Sequence, residues 1–228
     1  MKFRADEDLA MILPLPTKRS SGEDAVEFIN LEDCPDLFED IEKGFPTRQL
    51  GGATLSDPLS VFLSEDQLEV HDVGAFEASF VPTVADFRRL DERFRLPDGV
   101  WANVPGADKY GFAVFKLKAR GQKPHPFAFV FDTASPTQAF YPTVHIHDGK
   151  VHRAAEFDHT LYYQGAAPLK MSEGFGRGNQ WRESSGPARN FMETKPTEGV
   201  VLGDYHIYKR VIRGNFVNRD IRIVPQFV

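Results

Sequence analysis

The sequence contains a single cysteine, Cys34, among its 228 residues. One cysteine cannot form a disulfide within the chain, and a zinc site built from thiolates of this chain is excluded as well. Cys34 precedes Pro35 in an acidic stretch, where neighbouring carboxylates raise the pKa of a thiol and make it a poorer nucleophile. We therefore predict that Cys34 is a small core or capping residue.

Long apolar runs are also absent. A membrane-spanning helix needs about 18 consecutive apolar residues, whereas the run Leu9 to Leu15 is short and is broken by Pro14. The first eight residues carry charges where a secretion signal needs its apolar stretch. These observations predict a soluble, cytoplasmic protein that does not contact membranes.

Basic residues are outnumbered. The chain has 27 Lys and Arg against 33 Asp and Glu, a formal net charge of −6, so we predict no nucleic-acid partner. Residues 23–42 hold nine acidic side chains and no basic one. Such a stretch is typical of a solvated helix face, and the alternative is a docking surface for a protein partner.

Aromatic, proline and glycine residues are plentiful. Twenty phenylalanines, sixteen prolines and eighteen glycines favour short strands and turns over long helices. A chain of this size buries roughly 70% of its extended surface, and no shift in composition divides it. We predict one globular domain over residues 1–228 of the α+β class, mainly antiparallel β, folded as a sandwich or an open barrel with two short helices.

Several segments are assigned from their patterns. Helices are predicted within residues 33–44 and from Thr83 onward, the second with one buried face; that face consists of Val84, Phe87, Leu90 and Phe94. Strands are predicted at 110–119 and 127–131 as an antiparallel pair, and near 205–213 and 219–224 with a turn at Gly214-Asn215. Residues 171–190 are rich in Gly and Ser and predict a surface loop, or alternatively a lid over a site.

A histidine-rich segment carries the functional prediction. Asp148-Gly149 lies between two strand-like runs, and this dipeptide favours a two-residue hairpin turn because both of its positions adopt positive φ. We therefore predict a hairpin of strands 142–147 and 150–156. In that register His145 faces His152 directly, and alternation places His147 on the same side.

Three imidazoles on one side of a hairpin can bind one cation. Opposed Cβ atoms lie about 5 Å apart, which allows His145, His147 and His152 to bind a divalent metal such as zinc, iron or manganese. Glu156 continues the same alternation and is the predicted fourth ligand or general base. The sequence thus predicts a metal-binding protein or a metal-dependent enzyme acting on a small molecule.

The competing hypothesis needs no metal. A hairpin with apolar residues inward and polar residues outward is stable without a cation, Lys150 would repel one, and a slip of one residue would move a histidine to the other face. On this alternative the chain is a non-catalytic protein-interaction module without a cofactor, which binds a partner through its acidic stretch or its Gly-rich loop.

Overall fold

A computed structural model describes residues 10–19, 21–46, 68–91, 106–118, 125–145, 151–165 and 181–223. Within these ranges the chain forms eleven strands: β1 Ala10–Leu15, β2 Val26–Asn30, β3 His71–Val73, β4 Phe76–Val81, β5 Gly111–Leu117, β6 Phe127–Phe131, β7 Ala139–Tyr141, β8 Ala154–Tyr163, β9 Arg182–Pro187, β10 His206–Val217 and β11 Ile221–Ile223. The helices are one α-helix, α1 at Leu37–Glu42, and 3-10 helices at Val84–Arg89, Ala107–Lys109, Ala188–Asn190 and Lys195–Thr197.

The strands pair antiparallel throughout the described residues. The predicted class, mainly antiparallel β with short helices, is confirmed. The strands are divided among four sheets, with the orders β1-β5-β4-β3, β8-β10-β9, β11-β7 and β2-β6. No helix in the described part of the chain is long and apolar enough to cross a membrane.

The two-stranded sheet β2-β6 packs on the four-stranded sheet through aromatic side chains. Phe127, Phe129 and Phe131 share one face of β6 because side chains alternate along a strand, and all three pack against the core that includes Phe115 of β5. The ring centroids of Phe115 and Phe127 are 4.0 Å apart. This face-to-face packing is a small sandwich within the fold.

A second core lies between α1 and the three-stranded sheet β8-β10-β9. Leu37 and Ile41 of α1 pack with Val201 and Ile207. Phe38, the third apolar residue of α1, is 52% exposed. A six-residue helix buries only the side chains one turn apart, so its third apolar residue faces outward.

A third core lies on the other face of the same sheet. Phe157 and Leu161 of β8 and Ile212 of β10 pack there against β11. Strand β10 continues through Gly214, which has φ of +120°, so the predicted turn at Gly214-Asn215 is wrong. Glycine adopts this φ without steric cost, and the strand is not interrupted.

The helix predicted from Thr83 is a 3-10 helix, Val84–Arg89. Phe87 and Leu90 are buried and Val84 packs against their cluster, as predicted, while Phe94 lies outside the described residues. The Thr83 hydroxyl donates to the Asp86 carboxylate and makes no side-chain hydrogen bond to the helix backbone.

Two predictions of strand organisation are wrong. Strand β5 pairs with β1 and β4, whereas β6 pairs with β2, so the runs at 110–119 and 127–131 are not neighbours in one sheet. The predicted loop over 171–190 contains β9, which pairs with β10. All four of these strand pairings join segments that are separated along the chain, which local patterns do not reveal.

The predicted histidine hairpin is not formed by the described residues. Residues 142–145 belong to no strand, and β8 begins at Ala154. Residues 154–156 pair with β10 through Asn215, Phe216 and Val217, so the predicted pairing of 150–156 with 142–147 is wrong there. The turn at Asp148-Gly149 lies outside the described residues.

Candidate functional site

Two histidine side chains meet in the structure. The Nε2 atoms of His145 and His159 are 2.9 Å apart. Their ring centroids are 5.1 Å apart and the ring planes are nearly perpendicular, at 86°. We refer to these two side chains as the histidine pair.

Strand β8 positions His159. Its inward positions are Ala155, Phe157, His159 and Leu161, and the three apolar members are buried. His159 therefore occupies a position where strict alternation would place another apolar residue. Its ring contacts Phe157 edge to face, with centroids 5.3 Å apart.

His145 is held by side chains of the segment between β10 and β11. The Asn218 amide pairs with both backbone groups of His145: the His145 N–H donates to Oδ1 at 2.8 Å, and Nδ2 donates to the His145 carbonyl at 2.7 Å. The ring of His145 stacks on Phe157 at 4.9 Å with an angle of 18° between the planes. The backbone of His145 and the plane of its ring are thus both constrained.

Asp220 holds the two residues before His145. Its Oδ1 accepts the backbone N–H groups of Thr143 at 2.9 Å and Val144 at 3.2 Å. The Thr143 hydroxyl donates to the Arg219 carbonyl at 3.0 Å. Burial raises the pKa of the Asp220 carboxyl, and the two backbone N–H groups oppose that change. Along residues 143–145 these hydrogen bonds take the place of backbone hydrogen bonds to a neighbouring strand.

The short contact within the histidine pair constrains its protonation. A hydrogen bond between two Nε2 atoms requires one N–H donor and one bare acceptor, so at least one imidazole is neutral. The pKa of His159 is lowered, first by burial and then by repulsion from His145, while Asp158 opposes the change. When both imidazoles are positively charged, both Nε2 atoms carry hydrogen and this hydrogen bond is lost.

Two imidazoles this close could bind one metal ion if their rings changed direction. Nitrogen ligands about 2.0–2.1 Å from zinc are about 2.9 Å apart if their bonds meet at a right angle and about 3.3–3.4 Å apart at the tetrahedral angle. The observed 2.9 Å falls at the lower end of this interval. The ring centroids are 5.1 Å apart, so the two Nε2 atoms point nearly at each other, and the rings would have to turn for both lone pairs to meet at one ion.

The other predicted site residues are not shown at the histidine pair. His152 is exposed, and Glu156 is exposed on the face of β8 opposite to His159. His147 lies outside the described residues. Among the residues that the structure describes, no group of three or more His, Cys, Asp or Glu side chains is arranged to hold a metal ion. The structure thus pairs His145 with His159 and leaves the predicted three-histidine set untested.

Sequence reasoning gave His159 no role. One signal could have found it: a histidine at an inward position of an alternating strand, between Phe157 and Leu161. A histidine at such a position either hydrogen-bonds a polar partner or takes part in a functional site. Here the polar partner is a second histidine.

Cys34 plays no part in this site. It is partly buried against the core beside α1. Burial raises the pKa of its thiol, and the carboxylates of Asp33, Asp40 and Glu198 raise it further. A thiol of this kind is a weak nucleophile, in agreement with the prediction from the sequence.

Comparisons of the chain with protein-family models, with curated proteins and with solved structures find no significant match.

Proposed function

We propose that the protein binds a divalent transition-metal ion, with His145 and His159 as two of its ligands. The observation that carries the proposal is the approach of the two Nε2 atoms to 2.9 Å. Imidazole nitrogen is a preferred ligand of zinc and related ions. With two ligands from the histidine pair, the ion keeps open positions for water or a small-molecule substrate, as catalytic metal sites do.

The constraints on the two rings support this proposal. His145 is held through its backbone by Asn218 and through its ring by Phe157. His159 extends from a strand that is paired along its whole length with β10. Ligands that are fixed in advance lose little conformational freedom when a metal binds.

Metal binding replaces the proton between the rings. The Nε2 proton moves either to Nδ1 of the same ring or to solvent, and both Nε2 lone pairs then bind the ion. Because a protonated imidazole cannot bind a metal, affinity should decrease as the pH falls below about 6.5.

One further ligand prediction is part of the proposal: His147, two residues after His145, is a candidate third ligand from the sequence. Glu156, predicted from the sequence as a fourth ligand or general base, lies on the face of β8 opposite to His159 and is not assigned to the histidine pair. A metal-dependent reaction on a small molecule, a cytoplasmic location and a single domain over residues 1–228 are likewise predictions from the sequence.

Zinc titration of the full-length, tag-free protein after chelator treatment tests the proposal. The titration compares wild type with His145→Ala, His159→Gln, His147→Ala and His152→Ala, with His71→Ala as the matched control. Loss of an outer-shell partner already lowers metal affinity about 10–100-fold, so we expect at least that loss for His145→Ala and His159→Gln. We expect no change for His71→Ala.

The variants separate the two metal hypotheses. A loss with His152→Ala and none with His159→Gln would favour the three-histidine set predicted from the sequence. Binding that persists in both His145→Ala and His159→Gln would refute a metal site at the histidine pair. Circular dichroism of each variant shows whether the fold is kept.

A further inference from the structure

An exposed apolar surface surrounds the core beside α1. Four large side chains contribute to it, namely Phe38 at 52%, Val200 at 39%, Leu202 at 49% and Tyr205 at 42% exposed. We call these four side chains the apolar patch. Apolar side chains that are exposed singly are ordinary, but a group of them around one site marks an interaction surface.

The contacts beneath the patch bring its members together. Phe38 stacks on Tyr162 of β8, with ring centroids 6.0 Å apart. Two residues further on, the Gln164 amide donates to the carbonyls of Leu202 and Tyr205 and accepts the Leu202 N–H. Phe38 and the segment of Leu202 and Tyr205 therefore both lie beside the end of β8.

A buried residue next to the patch connects the segments that carry the patch side chains. Val201, between two exposed patch residues, is 7% exposed and packs in one cluster with Leu37 and Ile41 of α1. The segment that carries Val200 and Leu202 thus shares one core with the helix that carries Phe38. The exposed side chains lie around a rigid, shared core.

The rim of the patch is acidic. Within residues 32–42 there are six carboxylates, contributed by Glu32, Asp33, Asp36, Glu39, Asp40 and Glu42. Lys43 pairs with Asp40 and also interacts with the charge of Asp36, and Lys209 pairs with Glu42. Glu198 adds a further carboxylate, and its charge acts on Cys34 together with those of Asp33 and Asp40.

We propose that the apolar patch and its acidic rim bind a basic, amphipathic segment of a partner protein. Apolar anchors of that segment would contact Phe38 and Leu202, and its Lys or Arg residues would face the rim carboxylates. A second copy of this chain fits less well, because its net charge of −6 would repel an acidic surface. This surface does not depend on the metal site.

A defined peptide tests the proposal. The probe is a fluorescently labelled peptide of about 14 residues, roughly four helical turns, with leucine on one face and lysine on the other. An acidic control peptide has glutamate in place of every lysine. Fluorescence anisotropy with the full-length protein measures the binding of both.

We expect the basic peptide to bind and the acidic peptide to bind at least about tenfold more weakly. Phe38→Ser and Leu202→Ser should each weaken binding about tenfold, as loss of an interface anchor does. Val130→Ser and Val217→Ser are matched controls, since these valines are 56% and 58% exposed and lie outside the patch. Raising the salt from about 50 mM to about 500 mM should weaken binding by screening.

Three results would overturn the proposal. The first is equal binding of the two peptides, and the second is binding that Phe38→Ser and Leu202→Ser leave unchanged. The third is self-association of the wild type, measured by analytical ultracentrifugation, that Phe38→Ser abolishes, which would assign the patch to a second copy. Unfolding midpoints of the variants confirm that exposed positions were changed without loss of the fold.

Discussion

Replacing Asn218 by alanine removes the side chain that fixes His145. Asn218 is 7% exposed, and its amide makes two hydrogen bonds to the backbone of His145, at 2.8 and 2.7 Å. Only one orientation of the amide fits, since the His145 N–H must meet an oxygen and its carbonyl must meet an N–H group. Alanine leaves both backbone groups without this partner.

The expected loss of stability follows from the backbone N–H and carbonyl groups of His145. A buried donor or acceptor that loses its partner costs about 1–3 kcal/mol, and water can reach part of this segment, so we expect a total loss of about 2–4 kcal/mol. For a chain of this length each kcal/mol lowers Tm by about 2–4 °C. Asn218→Ala should therefore lower Tm by about 5–15 °C.

Urea unfolding of Asn218→Ala and Asn215→Ala measures the difference. Asn215 is exposed on β10, so its replacement should change the free energy of unfolding by less than about 0.5 kcal/mol. Zinc affinity of Asn218→Ala, measured where the variant is folded, should fall about tenfold because His145 is no longer held. A loss of stability below about 1 kcal/mol would refute the reasoning.

Three further predictions concern single side chains. The pKa of His159 is lowered from 6.5 in the folded state, so the unfolded chain binds a proton first as the pH falls. The free energy of unfolding should decrease below about pH 6.5, and less steeply in His159→Gln; identical pH profiles would contradict this. His125→Ala should cost about 1–3 kcal/mol in urea unfolding, because His125 Nε2 accepts the buried Ala75 N–H at 2.8 Å; an unchanged midpoint would show that water replaces the imidazole. Phe87→Ala should cost about 3–5 kcal/mol, since Phe87 is 7% exposed and packs on Phe112 at 5.2 Å; a loss below about 1 kcal/mol would contradict the assigned core.

Local patterns predicted the elements whose cause is local. The strand predicted at 127–131 is present, and its alternation places Phe127, Phe129 and Phe131 on one face, which packs on the four-stranded sheet. Leu37 and Ile41, one turn apart, form the buried side of α1. In each case the spacing of apolar side chains within a few residues decides which face is buried.

Distant side chains bind the backbone of residues 143–145, where the sequence predicted the first strand of the hairpin. Asn218 and Asp220 bind the backbone N–H groups of residues 143–145 across more than seventy positions of sequence. Strand β10 pairs with residues 154–156 instead. An Asp-Gly dipeptide reports the local preference for a turn and carries no information about these partners.

Histidine roles depended on non-local contacts as well. His125, between two prolines, has the sequence context of a turn residue, yet it is 9% exposed and binds the backbone of Ala75. His159 meets His145 only because β8 and the 218–220 segment bring them together. Which histidines meet is thus decided by packing and by side-chain hydrogen bonds that spacing does not encode.

Anomalous X-ray scattering from crystals of the full-length protein grown with zinc tests most directly whether the histidine pair binds a metal ion. The proposal predicts an anomalous peak within about 2.0–2.1 Å of both the His145 and His159 Nε2 atoms. An intact hydrogen bond between these two atoms, with zinc bound elsewhere or absent from the crystal at saturating concentration, would contradict it.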